Sequence, residues 1–153
     1  MASDEQVQGS TEVAASAEAV WALVSDLPAM GRFSPEATGG RWVRGGGPVV
    51  GAVFRGTNAQ GRRRWSTRST VVEAEPGRAF AFEVSSAGLP VARWSYRIEP
   101  TPEGCRVTET WDDRRGALVA RVGVLLTGTR DRRGFTASSI ATTLREVKAA
   151  AER

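Results

Sequence analysis

Six segments with an alternating residue pattern occupy most of the chain between residues 38 and 112. Alternation with a period of two is typical of strands that have one buried and one exposed face. Turns rich in glycine, proline and asparagine separate the longer segments, and such turns join antiparallel neighbours. The segments span residues 38–44, 51–58, 63–74, 79–85, 91–99 and 105–112. The pattern therefore predicts an antiparallel meander with an apolar and a polar face.

The chain before this meander begins with a strand pattern that changes abruptly to a helical one. From residue 7 to residue 13, apolar or strand-tolerant residues recur at every second position, which predicts a half-buried edge strand. The Ser16 hydroxyl can accept a hydrogen bond from the first helical turn, and Glu18 lies where the helix dipole favours an anion. We therefore expect a helix from about Ala17 that ends before Pro28. Its buried stripe consists of Val20, Leu23 and Val24, with Trp21 on its flank.

Two further helices are predicted, one on each side of the six segments. A short helix fits residues 29–36 and ends at the pair Ser34 and Pro35. From about Asp131 the sequence returns to helical spacing, which predicts a long terminal helix. Its apolar stripe consists of Ile140, Leu144, Val147 and Ala151. A sheet covered by this helix gives an α+β fold.

The length of 153 residues fits a single domain, residues 1–153, with its core at about 7–150. Cys105 is the only cysteine, so no intramolecular disulfide can form, and the first residues lack the pattern of a secretion signal. The most apolar run, residues 117–126, is interrupted by Arg121 and is shorter than the roughly 20 residues that span a bilayer. We therefore expect a cytoplasmic protein without stable membrane insertion.

The sequence contains no histidine. This excludes Ser-His-Asp and Cys-His catalysis and the zinc sites that are built with histidine. A single cysteine cannot form a cysteine-rich metal site, and the glycine-rich residues 45–48 lack the Gly-Lys-Ser/Thr ending of a phosphate-binding loop. Neither a metal ion nor a cofactor is therefore expected.

The net charge of +4 depends on arginine, because Lys148 is the only lysine. The densest basic clusters are residues 62–65 and 130–133, and an aromatic residue beside arginines can stack a nucleic-acid base. However, the first cluster fits the end of a hairpin and the second fits the solvated start of a helix. We therefore expect no nucleic-acid partner.

Five short segments carry a resemblance to a known family. They are ASAEAVW at 15–21 with Asp26, GAVFRG at 51–56, EPGRAF at 75–80, WSY at 94–96 and VTE at 107–109. Their order and spacing resemble the START-like or SRPBCC superfamily, in its polyketide cyclase/dehydrase-like branch, over about residues 7–150. The resemblance implies a helix-grip fold, in which a curved antiparallel sheet of about seven strands wraps around a long C-terminal helix. Two short helices follow the first strand, and an apolar cavity lies between sheet and terminal helix.

In such a fold the function lies in the cavity, and aromatic residues on one face of the strands are candidates for its lining. Aromatic surface suits a hydrophobic or planar ligand. The alternative is that the same side chains simply fill the core. The predicted ligand-binding set is Phe54, Trp65, Phe80, Phe82, Trp94, Tyr96 and Trp111.

Glu109 is the candidate for proton chemistry, because it alternates with the apolar residues Cys105, Val107 and Trp111 on one strand face. Burial raises the pKa of a carboxyl and enables it to donate a proton or to orient a ligand hydroxyl. Tyr96 is a second candidate, because its hydroxyl can polarise a carbonyl. The alternatives for Glu109 are an ion pair with Arg68 or Arg93, and a shifted register that exposes it to water.

The apolar residues 118–126 lie directly before the terminal helix and fit a lid over the cavity mouth. Gly116, Gly123 and Gly128 are its candidate flexible points. Contact with a membrane, contact with a second subunit and ordinary packing are the alternatives.

Three functions remain open from the sequence. The first is a carrier or sensor that binds a hydrophobic or aromatic small molecule, lipid-like or polyketide-like, as a monomer or homodimer. The second is a polyketide cyclase/dehydrase-type enzyme that uses Glu109 and Tyr96, in which holding a reactive chain in one conformation contributes up to about 7–11 kcal/mol. The third is a protein-interaction module of the chaperone-associated or antitoxin-like kind. Fold alone does not choose among them.

Overall fold

The computed structural model describes residues 6–127 and 131–153, except for the side chains of residues 126 and 127. Within these residues, seven antiparallel strands form one sheet in the order β1-β7-β6-β5-β4-β3-β2. This confirms the predicted meander, with the first strand at a sheet edge beside the last. The strands are β1 Gln6–Val13, β2 Ala37–Arg44, β3 Val53–Gln60, β4 Arg63–Glu75, β5 Ala79–Ser86, β6 Leu89–Thr101 and β7 Gly104–Asp113.

In the described part of the chain, three α-helices and one 3₁₀ helix accompany the sheet. They are α1 Ala17–Val24, the 3₁₀ helix Leu27–Arg32, α2 Ala117–Thr127 and α3 Arg132–Ala151. The two short helices after β1 and the long terminal helix confirm the predicted fold class. The helix α2 occupies the segment for which the sequence suggested a lid. Within residues 6–127 and 131–153, no helix combines the length with the hydropathy that a bilayer-spanning segment requires.

Irregular pairing bends the sheet around α3. The register shifts between Val71 and Glu73 in β4, and again between Val84 and Ser85 in β5. An extra residue on one strand increases the local twist and bends that strand. The sheet therefore has a concave face, on which the helices pack.

The helix α1 is fixed at its start and along one face. The Ser16 Oγ accepts a hydrogen bond from the Ala19 N–H at 3.1 Å, which confirms the predicted cap. Val20 and Val24 are fully buried, and the Trp21 indole N–H donates to the Ala79 carbonyl at 2.8 Å. These contacts hold α1 over one end of the concave face.

The helix α3 presents two different stripes to the protein interior. Ile140, Leu144 and Val147 are buried, as the apolar spacing predicts. The helix approaches β1 so closely that a Cβ added at Gly9 would lie 2.9 Å from the Ile140 Cγ2. The second stripe is polar and consists of Arg132, Thr136, Ser139 and Thr143. It faces the cavity described next.

Candidate ligand-binding cavity

A cavity of about 360 Å³ lies between the concave face of the sheet, α2 and α3. Its size falls within the range of small-molecule sites, and its lining is mainly apolar. Six of the seven aromatic residues predicted from the sequence line it: Phe54, Trp65, Phe82, Trp94, Tyr96 and Trp111. The alternation within the strands thus identified most of the aromatic wall.

Phe80 lies outside this lining, although it shares a strand face with Phe82. It is fully buried, and its ring packs edge to face against Trp21 with ring centroids 6.1 Å apart. The reason is its position along β5, because α1 covers that end of the concave face. Phe80 therefore belongs to the core beneath α1.

Glu109 and Tyr96 form a hydrogen-bonded pair in the cavity wall. They occupy directly opposite positions on β7 and β6, and the Tyr96 hydroxyl donates to the Glu109 Oε2 at 2.7 Å. Both residues are buried and both line the cavity. The other carboxyl oxygen, Oε1, is the one buried side-chain oxygen or nitrogen without a hydrogen-bond partner in the described residues.

Burial changes the protonation of this pair. Loss of hydration raises the pKa of Glu109 to about 8, and the hydrogen bond from Tyr96 lowers it only in part. Burial and the neighbouring Glu109 raise the pKa of Tyr96 well above its ordinary value. Glu109 is therefore mainly a neutral acid at pH 7. Because Oε2 accepts from Tyr96, the acid proton belongs on Oε1.

The ion-pair alternative for Glu109 is wrong, since its hydrogen-bond partner is Tyr96. Arg93 pairs with Glu83 at 3.5 Å, and Arg68 is exposed. The two outer-face arginines point away from the apolar side of the sheet, as the alternation of β4 and β6 requires.

Two ion pairs at the cavity were not predicted from the sequence. Arg115 donates from Nε and Nη2 to the two carboxylate oxygens of Asp113, at 2.9 and 3.0 Å. Arg132 donates from Nη1 to both oxygens of Glu36, at 3.1 and 3.2 Å. Burial raises the pKa of Glu36, and the charge and hydrogen bond of Arg132 oppose that rise. Both arginines and Glu36 contribute to the cavity lining.

The second of these pairs corrects the prediction of a solvated helix start. The Arg132 and Glu36 side chains are only 16% and 19% exposed, although Arg132 begins α3. A sequence signal existed, because Arg132, Thr136, Ser139 and Thr143 recur at helical spacing. That polar stripe was hidden by the stronger apolar stripe beside it. Its partner Glu36 is distant in sequence, and no local residue pattern indicated that the two side chains pair.

The cavity mouth lies between α2 and the turn that joins β5 to β6. Ala87, Leu89, Leu118 and Val122 are both exposed and part of the lining. Residues 118–126, for which the sequence suggested a lid, thus lie at the cavity mouth as part of the helix α2. Of its three candidate flexible points, Gly116 and Gly123 flank or lie within α2. Gly128 lies outside the described residues.

Comparison with known proteins agrees with this architecture. A family model described as polyketide cyclase/dehydrase and lipid transport matches residues 4–152. A polyketide-cyclase-like protein of Corynebacterium glutamicum is 33% identical, with 95% of this chain and 90% of that chain covered and a TM-score of 0.65. Among curated proteins, no sequence matches this chain significantly.

More distant solved structures share the fold. A di-domain ARO/CYC protein of the steffimycin biosynthetic pathway is 17% identical, with 96% of this chain and 50% of that chain covered and a TM-score of 0.72. Major latex-like protein 151 of Panax ginseng is 12% identical, with 97% and 98% covered and a TM-score of 0.73. With a helix-grip fold and a family model that spans nearly its whole length, the chain belongs to the polyketide cyclase/dehydrase and lipid transport family of the START-like superfamily.

Proposed function

We propose that this protein binds an uncharged hydrophobic or aromatic small molecule, lipid-like or polyketide-like, as a carrier or sensor. The observation that carries the proposal is the buried Oε1 of Glu109, which lacks a partner within a largely aromatic cavity. Because burial raises the pKa of Glu109 to about 8, this oxygen is expected to carry a proton near neutral pH. A ligand carbonyl or hydroxyl oxygen that accepts from Oε1 supplies the missing hydrogen bond. The aromatic wall then contributes apolar contact to the rest of the ligand.

The free-energy cost of leaving the Glu109 Oε1 without a hydrogen bond favours a ligand with an oxygen acceptor over a purely apolar one. A buried polar atom without a hydrogen bond costs about 1–3 kcal/mol, and a ligand acceptor recovers much of that cost on binding. An anionic ligand is disfavoured, because the two half-buried arginines that line the cavity, Arg115 and Arg132, already have carboxylate partners. We therefore expect selectivity for neutral molecules with one oxygen acceptor on an aromatic or aliphatic body.

Prodan, a neutral naphthalene with one ketone oxygen and polarity-sensitive fluorescence, is a suitable probe. We expect it to bind with blue-shifted emission. Ser139→Leu replaces a hydroxyl in the cavity lining with three carbons. The steric overlap of this side chain with the ligand is expected to weaken Prodan binding at least about tenfold. Ser138→Leu adds the same side chain at the exposed neighbouring position and is the matched control.

Circular dichroism establishes that both leucine variants are folded. Equal Prodan affinity of the two variants, or no blue shift with the wild type, contradicts binding in this cavity. Native mass spectrometry of gently purified protein, followed by organic extraction, identifies a natural ligand. A stoichiometric protein partner without a small molecule favours the interaction module instead.

A second candidate is catalysis of cyclisation or dehydration, and the pKa of Glu109 favours it. A carboxyl with a pKa of about 8 can donate a proton to a ligand oxygen and return as a base near neutral pH. Tyr96 holds the opposite carboxyl oxygen and orients the group. A poly-β-keto N-acetylcysteamine thioester tests this function. If Glu109→Gln and Tyr96→Phe cyclise the thioester as fast as the wild type does, the enzymatic assignment fails.

A further inference from the structure

The outward face of α2 is unusually apolar for an exposed helix. Leu118, Val122 and Leu125 lie at helical spacing and are 71%, 43% and 73% exposed. Leu89, the first residue of β6 after the β5–β6 turn, is 48% exposed. Leu89, Leu118 and Val122 also line the cavity, so this apolar surface surrounds its mouth. We call these four residues the mouth surface.

Positive charge surrounds the mouth surface. From residue 114 to residue 127 the sequence has three arginines and no acidic residue, and of these Arg115 pairs with Asp113. Arg121 is exposed within α2, between Leu118 and Leu125, and Arg114 is exposed three residues before the helix begins. The Arg63 side chain donates to the Leu125 carbonyl, which places the β3–β4 hairpin with its three consecutive arginines at the C-terminal end of α2. The apolar face is therefore bordered by cations from two elements.

We propose that the mouth surface docks reversibly on anionic lipid bilayers and brings the cavity mouth against the membrane. A helix with exposed apolar residues and flanking arginines binds in the headgroup plane through apolar burial and attraction to anionic lipids. The 11 residues of α2 lie on such a surface without spanning it. An apolar ligand then passes between bilayer and cavity without crossing water. Membrane docking is a separate property from the proposed ligand binding, and its test requires no ligand.

Charge favours an anionic bilayer over a second copy of this chain. A symmetric dimer through the mouth surface brings Arg114 and Arg121 of both copies into one interface, and like charges in an interface oppose association. The residues 114–127 supply no carboxylate that compensates for this repulsion. Anionic headgroups supply that negative charge and also accommodate the leucines.

Cosedimentation with vesicles tests the proposal. We compare phosphatidylcholine vesicles with vesicles that contain about 30% phosphatidylserine, at low salt and at about 0.5 M NaCl, where charges are screened over a few ångströms. We expect binding to the anionic vesicles that is lost at high salt. Arg121→Gln is expected to weaken it about fivefold and Leu125→Ser about tenfold. Neither side chain lines the cavity, so both variants should bind Prodan like the wild type in vesicle-free buffer.

Matched controls lie away from the mouth surface. Arg97→Gln removes an exposed arginine from the outer face of β6, and Val50→Ser removes a 66% exposed apolar side chain between β2 and β3. Both controls should bind anionic vesicles like the wild type. Absence of vesicle binding, equal loss in variants and controls, or a wild-type dimer that Leu125→Ser dissociates overturns the proposal. Prodan binding reports separately on the proposed function.

Discussion

Replacing Glu109 with glutamine should remove a specific pH dependence of folding stability. Burial raises the pKa of Glu109 from its ordinary value of 4.5 to about 8. Between these values the folded protein holds a proton that the unfolded chain has released, so stability falls as pH rises. Each pKa unit is worth about 1.4 kcal/mol, which gives a slope of about 1.4 kcal/mol per pH unit and a total of about 5 kcal/mol. The neutral amide of Glu109→Gln has no such slope.

Urea denaturation followed by circular dichroism, from pH 5 to pH 9, measures this effect. The free energy of unfolding of Glu109→Gln should be close to that of the wild type near pH 5 and exceed it by several kcal/mol near pH 9. Glu99→Gln, an exposed carboxyl on the outer face of β6, is the control and should follow the wild type. Parallel pH profiles of wild type and Glu109→Gln refute the assignment of a neutral buried acid.

Two further substitutions test local interactions. Tyr96→Phe removes the hydrogen bond to the Glu109 Oε2, so it should lower stability by about 1–3 kcal/mol. It should also raise the pKa of Glu109, measured by carbon NMR of the carboxyl, because that hydrogen bond lowers it; an unchanged pKa contradicts the pairing. Ser16→Ala removes the hydroxyl that caps α1 and should cost about 1 kcal/mol in urea denaturation, whereas Ser16→Asp retains an acceptor and most of the stability.

The fold was predictable because each element has a local signal. The strands alternate, Ser16 caps α1, and the apolar stripe of α3 repeats at helical spacing. The same alternation placed Glu109 with Cys105 and Trp111 on the buried face of β7. One-dimensional periodicity is thus sufficient to identify which face of an element is buried.

The geometry of the site depends on pairings between distant elements, and periodicity does not provide them. The Tyr96 hydroxyl reaches Glu109 because the β6–β7 register sets the two residues opposite each other. The pair of Arg132 and Glu36 joins positions 96 residues apart. Phe80 shares a face with the cavity residues, but its place along β5 puts it under α1. Which helix covers a given part of a strand, like the partner in an ion pair, is determined only by the assembled fold.

The most direct test of the central claim is the pH dependence of Prodan affinity. Prodan does not titrate between pH 6 and pH 9, so any change reports on the protein. With a pKa of about 8, Glu109 is almost fully protonated at pH 6 and about one-tenth protonated at pH 9. The wild-type Kd should therefore rise about tenfold over this range. The Kd of Glu109→Gln, which keeps an amide donor, should stay constant. A constant wild-type Kd, or the same rise in both proteins, contradicts a neutral Glu109 as the donor to the ligand.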